Sequence, residues 1–129
     1  MNGTLEGITV LDLSWILSGP FCTMILADQG ARVIKIERPG VGDGARGTGP
    51  FVSYDVDGET KKESAYFTSL NRNKESVTLN LVHPEGKRIF LELAKQVDVV
   101  VENFTPGTME KMGLDFPILR MANPRLIYC

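Results

Sequence analysis

The chain has 129 residues, enough for one modest α/β domain around a single core. Hydrophobic residues make up 43% of it and charged residues 23%, with a formal net charge of -2. So even a balance leaves no basic stripe to neutralise a phosphate backbone, which excludes a nucleic-acid partner.

The chain opens on MNGTLEGITV, with no basic stretch followed by an apolar one, so no secretory signal is expected. Residues 8–13, ITVLDL, form an apolar, β-branched run suited to a buried strand. Ser18-Gly19-Pro20 reads as a helix start, with Ser18 capping free N–H groups and proline tolerated in the first turn. The helix over residues 21–28 is apolar over much of its surface, so it is predicted to be well buried, and Gly30 stops it. Residues 31–37, ARVIKIE, alternate into a second strand, and a strand–helix–strand unit of this length makes its two strands parallel.

Residues 38–63 lose periodicity and carry many glycines and charges, which predicts a long surface loop of the kind that is functional or mobile. Residues 64–70 suit a short helix or an extended segment. SVTLNL, residues 76–81, alternates as a strand. Pro84 opens a helix over residues 84–97 with Ile89, Phe90, Leu93 and Ala94 toward the core. Residues 98–102 read as a short buried strand, residues 108–112 and 116–122 as two short helices, and residues 126–129 as a last apolar strand. The succession predicts an α/β, doubly wound, mainly parallel sheet with helices on both faces. No apolar run approaches the roughly 18 residues of a membrane span, so no membrane partner is expected and the chain reads as cytoplasmic.

In such sheets ligands bind beyond the carboxyl ends of the strands, which singles out residues 14–19, 37–46 and 103–107. The first of these turns has neither a G-x-G-x-x-G fingerprint nor a Walker lysine, which disfavours NAD in its usual mode but leaves a phosphate on the helix N-terminus open. Arg38 ends the second strand where a nucleotide-binding fold faces the ribose, and its planar fork suits a phosphorylated ribose; an exposed loop arginine is the alternative. Asn71-Arg72-Asn73-Lys74 is either a phosphate site or a solvated turn. Asn103 offers an amide after a buried strand, with Lys111 one turn into the next helix. His83, the one histidine, precedes Pro84 and reads as an exposed or capping residue. Cys22 and Cys129 match no metal-ligand spacing, so no metal site is expected. No G-x-S-x-G elbow is present.

Taken together, Gly7-Ile-x-Val-Leu-Asp12-Leu, Gly19-Pro20, Leu26-Ala27-Asp28-x-Gly30-Ala31-x-Val33-Ile34-Lys35-Ile36-Glu37-Arg38-Pro39, Asn71-Arg72-Asn73-Lys74-x-Ser76, Asp98-Val99-Val100-Val101-Glu102-Asn103-Phe104-x-Pro106-Gly107 and Asn123-Pro124-Arg125-Leu126-Ile127-Tyr128 resemble the class III CoA-transferases of the CaiB/BaiF type. That group includes formyl-CoA transferase, carnitine CoA-transferase, dicarboxylate CoA-transferases and α-methylacyl-CoA racemase. The resemblance runs from about Gly7 to the last residue. It implies a Rossmann-like large domain, of which residues 1–129 are the N-terminal part, with a small domain and a C-terminal return segment lying outside this chain.

The resemblance further implies CoA or acyl-CoA as substrate, no permanently bound cofactor, a small carboxylic acid as acceptor, and an interlocked homodimer. By position, Arg38 looks like the residue near the CoA adenosine and its phosphate. Leu70 and Lys74 match the flanks of the adenine and phosphate region, while Asn103, Phe104 and Lys111 match further CoA contacts. Leu17 stands where formyl-CoA transferase has a glutamine near the thioester, which speaks against formyl-CoA specificity. Transfer in the group proceeds through an aspartyl-CoA thioester. The matching aspartate is expected beyond Cys129, so this chain alone is expected to be inactive. A racemase of the same group and a non-catalytic CoA-binding fragment are the competing readings.

Overall fold

In the computed structural model, residues 3–129 are described. The apolar alternation near the N-terminus builds strand β1 (Thr9–Asp12), and helix α1 (Ser18–Asp28) crosses over to β2 (Arg32–Glu37), which lies parallel to β1. A hairpin of β3 (Phe51–Val56) and β4 (Glu59–Ser64) follows, then helix α2 (Ala65–Asn71) and strand β5 (Lys74–Thr78). The second half comprises α3 (Pro84–Ala94), β6 (Val99–Val101), α4 (Thr108–Met112), α5 (Phe116–Ala122) and β7 (Ile127–Tyr128).

The main sheet has five strands in the order β5-β2-β1-β6-β7, and every neighbouring pair is parallel. Alternation along the strands serves two covered faces, as a parallel sheet requires. Leu11, Leu13, Ile36 and Val100 pack with Phe90 of α3, Met109 of α4 and Leu119 of α5. Val10, Val33 and Val101 point the other way, toward Ala27 of α1. Burying a side chain the size of Phe90 contributes about 2–3 kcal/mol, so the α3 face is the heavier half of the core. No helix among the described residues is long and apolar enough to cross a membrane.

Five expectations need correction. Residues 38–63 are not one loop, because β3 and β4 pair from Phe51 to Ser64 around a two-residue turn with Asp57 at φ 53° and Gly58 at φ 81°. Both residues thus have positive φ, the geometry that matches strand twist in a tight hairpin. The strand expected at residues 76–81 lies at Lys74–Thr78. Asn80 bends the chain away, its Oδ1 accepting from Val82 N, so Leu79 and Leu81 pack into the core instead. Ser18 does not cap α1: the N-cap is Leu17, with no side-chain bond. The helix is not well buried all round either, since Phe21, Cys22 and Ile25 are exposed. Ile89 also faces outward, and Gly86 takes its place in the buried stripe of α3, so close to the Asn80 carbonyl that a Cβ would overlap it.

Candidate functional site

At the carboxyl ends of β1, β2 and β6 the three segments picked out by strand topology do meet. The turn after β1 lies between the other two. Asn103, just past β6, accepts from Trp15 N at 2.8 Å and donates from Nδ2 to Trp15 O at 2.9 Å. Asp43, beyond β2, accepts from Ile16 N at 3.1 Å. Ile16 stands at φ 67°, a conformation a β-branched residue adopts only under external restraint, at a cost of about 1–3 kcal/mol. Gly44 packs against the same turn, and a Cβ there would lie 3.0 Å from Ile16 Cδ1.

On the α3 side of the sheet the turn borders a cavity of about 310 Å³. Leu13 and Ile36 come from the strands, Leu79, Asn80, Leu81 and Val82 from the segment that leaves β5, and Thr108 and Met112 from α4. Trp15, Arg38 and Phe104 complete the lining. Phe104 meets the Trp15 indole edge-on at 6.1 Å between ring centres, and the Arg38 guanidinium lies 4.7 Å from the indole centre. A cation so placed is attracted by about 0.5–2 kcal/mol. Arg38 is exposed and pairs with no carboxylate among the described residues, so its charge remains available to an anion. The arrangement suits a flat, weakly polar group in the cavity carrying an anion at its mouth.

The opposite face of the same strand ends is charged and closed. Lys35 Nζ contacts Asp43 Oδ2 at 2.9 Å, and Lys74 Nζ contacts Asp12 Oδ2 at 3.0 Å. Lys74 also donates to Pro20 O, Thr23 Oγ1 and Asn71 Oδ1. Asp12 further accepts from Ser14 and Thr23 hydroxyls. Burial alone would raise the Asp12 carboxyl, but the charges of Lys35 and Lys74 and the two hydroxyls outweigh it and hold it below its usual range. Burial depresses Lys74, with its bond to Asp12 opposing the shift. Farther out, Arg46 forms a two-pronged pair with Glu37, at 2.7 Å to each oxygen, and covers the ring of Phe67. Burial pushes the Glu37 carboxyl up, but Arg46, Ser76 and the Asp43 N–H more than reverse this and bring it to about 2.

The seven residues singled out in the sequence therefore divide. Arg38 and Phe104 line the cavity, and Asn103 holds its turn. Leu17 is exposed at the head of α1, and Lys111 is exposed on α4 beside the cavity residue Met112. Leu70 and Lys74 lie elsewhere: Leu70 is buried on α2, and the Lys74 ammonium is spent on Asp12 under α1. Sequence reasoning passed over Trp15, although it follows a strand within the segment that topology marked. His83 does cap α3, its Nδ1 accepting from Glu85 N.

The profile of a family described as CoA-transferase family III matches residues 5–129. A succinyl-CoA:mesaconate CoA-transferase of Haloarcula marismortui is 52% identical over 98% of this chain and 31% of its own length. A succinyl-CoA:glutarate CoA-transferase of Mus musculus is 49% identical over 97% of this chain and 27% of its own. The crystal structure of a CaiB/BaiF family protein from Brucella suis superposes with a TM-score of 0.90 at 44% identity, covering 100% of this chain and 33% of that one. The chain thus spans about a third of the length of the relatives it matches.

Proposed function

The chain belongs to CoA-transferase family III, and from that premise we propose that it is the N-terminal part of a CoA-binding large domain in an enzyme that moves CoA from an acyl-CoA donor to a small carboxylic acid. The observation that carries the reading is the cavity of Trp15, Arg38 and Phe104 at the strand ends. Its apolar walls suit the adenine of CoA, and Arg38 at its mouth suits the phosphate on the adjoining ribose. Asn103 acts by holding the turn, and Lys111 offers a second cation on the neighbouring helix.

The relatives named above transfer CoA from succinyl-CoA to mesaconate or glutarate, which favours succinyl-CoA as donor and a dicarboxylate as acceptor here. In the proposed reaction an aspartate attacks the acyl-CoA carbonyl to give a mixed anhydride and CoA thiolate. The thiolate returns to form an enzyme thioester with loss of the acyl group as its carboxylate, and the acceptor acid then takes the CoA. Asp12 and Asp43 are poor nucleophiles for this, being wholly buried and paired with lysines. Asp28 is bound by Arg72, and Asp55 stands on the exposed hairpin. The reading therefore takes its nucleophile from outside this chain and its partner subunit from a second copy of the complete enzyme.

The test uses the full-length enzyme, incubated with succinyl-CoA and glutarate or mesaconate, with the CoA esters separated and quantified. Arg38→Ala is expected to weaken CoA about tenfold, the loss of roughly 1.4 kcal/mol, with the fold intact. Failure of the wild-type enzyme to bind CoA at millimolar concentration, or binding of NAD in its place, would overturn the reading.

A further inference from the structure

The turn after β1 is held in a conformation its own residues resist. Ile16 has φ 67°, and Ile, unlike glycine, strongly disfavours that region. Its N–H donates to Asp43 Oδ1 at 3.1 Å. Two residues upstream, the Ser14 carbonyl accepts from Lys35 Nζ at 2.7 Å. Lys35 and Asp43 are joined to each other at 2.9 Å, their side chains 1% and 0% exposed. One buried ion pair thus grips the chain on both sides of Trp15, whose ring forms a wall of the cavity.

A pair buried so completely is a weak means of stabilising a fold, since desolvating both ions offsets their attraction. Asp43 Oδ2 accepts no aligned hydrogen bond and is balanced by the ammonium of Lys35. Apolar side chains could fill the space but would also free the Ala45 N–H, which Asp43 caps at 2.9 Å. They could not accept from the Ile16 N–H or donate to the Ser14 carbonyl.

We propose that Lys35 and Asp43 are positioning residues for the cavity, holding Ile16 in the left-handed conformation and thereby setting the Trp15 indole against Arg38 and Phe104. Neither touches the ligand. The effect on ligand affinity rests on the reading of the cavity as the CoA site, whereas the effect on Trp15 is independent of any ligand.

The experiment compares the full-length wild-type enzyme with Lys35→Met/Asp43→Leu and with the same variant carrying Ile16→Gly. Thermal unfolding, acrylamide quenching of Trp15 and the Kd for CoA are measured on each, the Trp15 signal being isolated by subtracting a Trp15→Phe variant. The double variant is expected to unfold at a lower temperature than wild type but to remain folded at 25 °C, with Trp15 quenched at least twofold more steeply and CoA bound about tenfold more weakly. Adding Ile16→Gly is expected to recover threefold or more of that affinity, because glycine takes positive φ without strain. A double variant with wild-type quenching overturns the proposal.

Should the double variant not fold, Asp43→Ala removes the acceptor of the Ile16 N–H and leaves Lys35 in place. A twofold steeper quenching of Trp15 in the folded protein supports positioning, and wild-type quenching overturns it. Absence of CoA binding by the wild type would sink the CoA reading alone, and quenching would still decide the role of the pair.

Discussion

Glu37 ties three parts of the chain together, accepting from Arg46 beside the hairpin, from Ser76 on β5 and from the Asp43 backbone. Its carboxyl is held at about 2, below an ordinary 4.5, so the native state binds the proton more weakly than the unfolded chain does. Stability from this group is therefore fully present above about pH 4.5 and is lost as pH falls toward 2. The loss is at most about 3 kcal/mol, less what solvent screens at the partly exposed Arg46. Thermal melts between pH 6 and pH 2 should show this slope in the wild type and a shallower one in Glu37→Gln; equal slopes would remove Glu37 as the cause. Little of this network was legible in the sequence. The alternation of residues 31–37 marks a strand but does not say that Lys35 and Glu37 are buried, 1% and 3% exposed, with ionic partners drawn from the segment after β2. Arg38 was legible for the opposite reason, being a cation at a strand end with no partner nearby. Trp15 was not, because an aromatic after a strand looks the same whether it packs in a core or lines a cavity.

The β-α-β start, both short helices after β6 and the parallel arrangement all followed from periodicity and glycine or proline punctuation, and the structure has them. The hairpin was missed for a specific reason. Its strands carry FVSYDV and ETKKES, both largely solvent-exposed, so no apolar stripe marks them. The available signal was Asp57-Gly58, one of the preferred pairs for a two-residue hairpin turn. Gly58 sits at φ 81°, so Gly58→Val should destabilise the hairpin by about 1–2 kcal/mol. Hydrogen exchange would show faster exchange in β3 and β4 and unchanged protection in β1 and β2; uniform loss across the sheet would contradict that local effect. The displaced β5 has a different cause. Alternation continues through Leu81, and only the Asn80 turn and the close approach of Gly86 end the strand early. Both contacts fall within seven residues, but the alternation that runs on to Leu81 masks them.

Across the whole molecule, α1 presents a mismatch between composition and surroundings. Leu17, Phe21 and Ile25, spaced four residues apart, are 51%, 49% and 40% exposed, with Ile16 beside them. A contiguous apolar stripe of this kind promotes self-association in water. Phe21→Lys with Ile25→Lys is expected to shift this chain toward a monomer in sedimentation velocity and to reduce binding of a hydrophobic dye; unchanged association would place the sticky surface elsewhere. The opposed faces of β1 and β2 have a consequence for how such a protein can diversify. Leu13 and Ile36 open on the cavity, whereas Asp12, Lys35 and Glu37, their sequence neighbours, project into the charged layer. Strand periodicity keeps the two sets on opposite faces of the sheet, and they communicate through the turn after β1. Substitutions that reshape the cavity can accumulate at alternate positions without replacing the charged residues, so a lineage carrying this fold could change what it recognises while inheriting unaltered the layer that positions its turn.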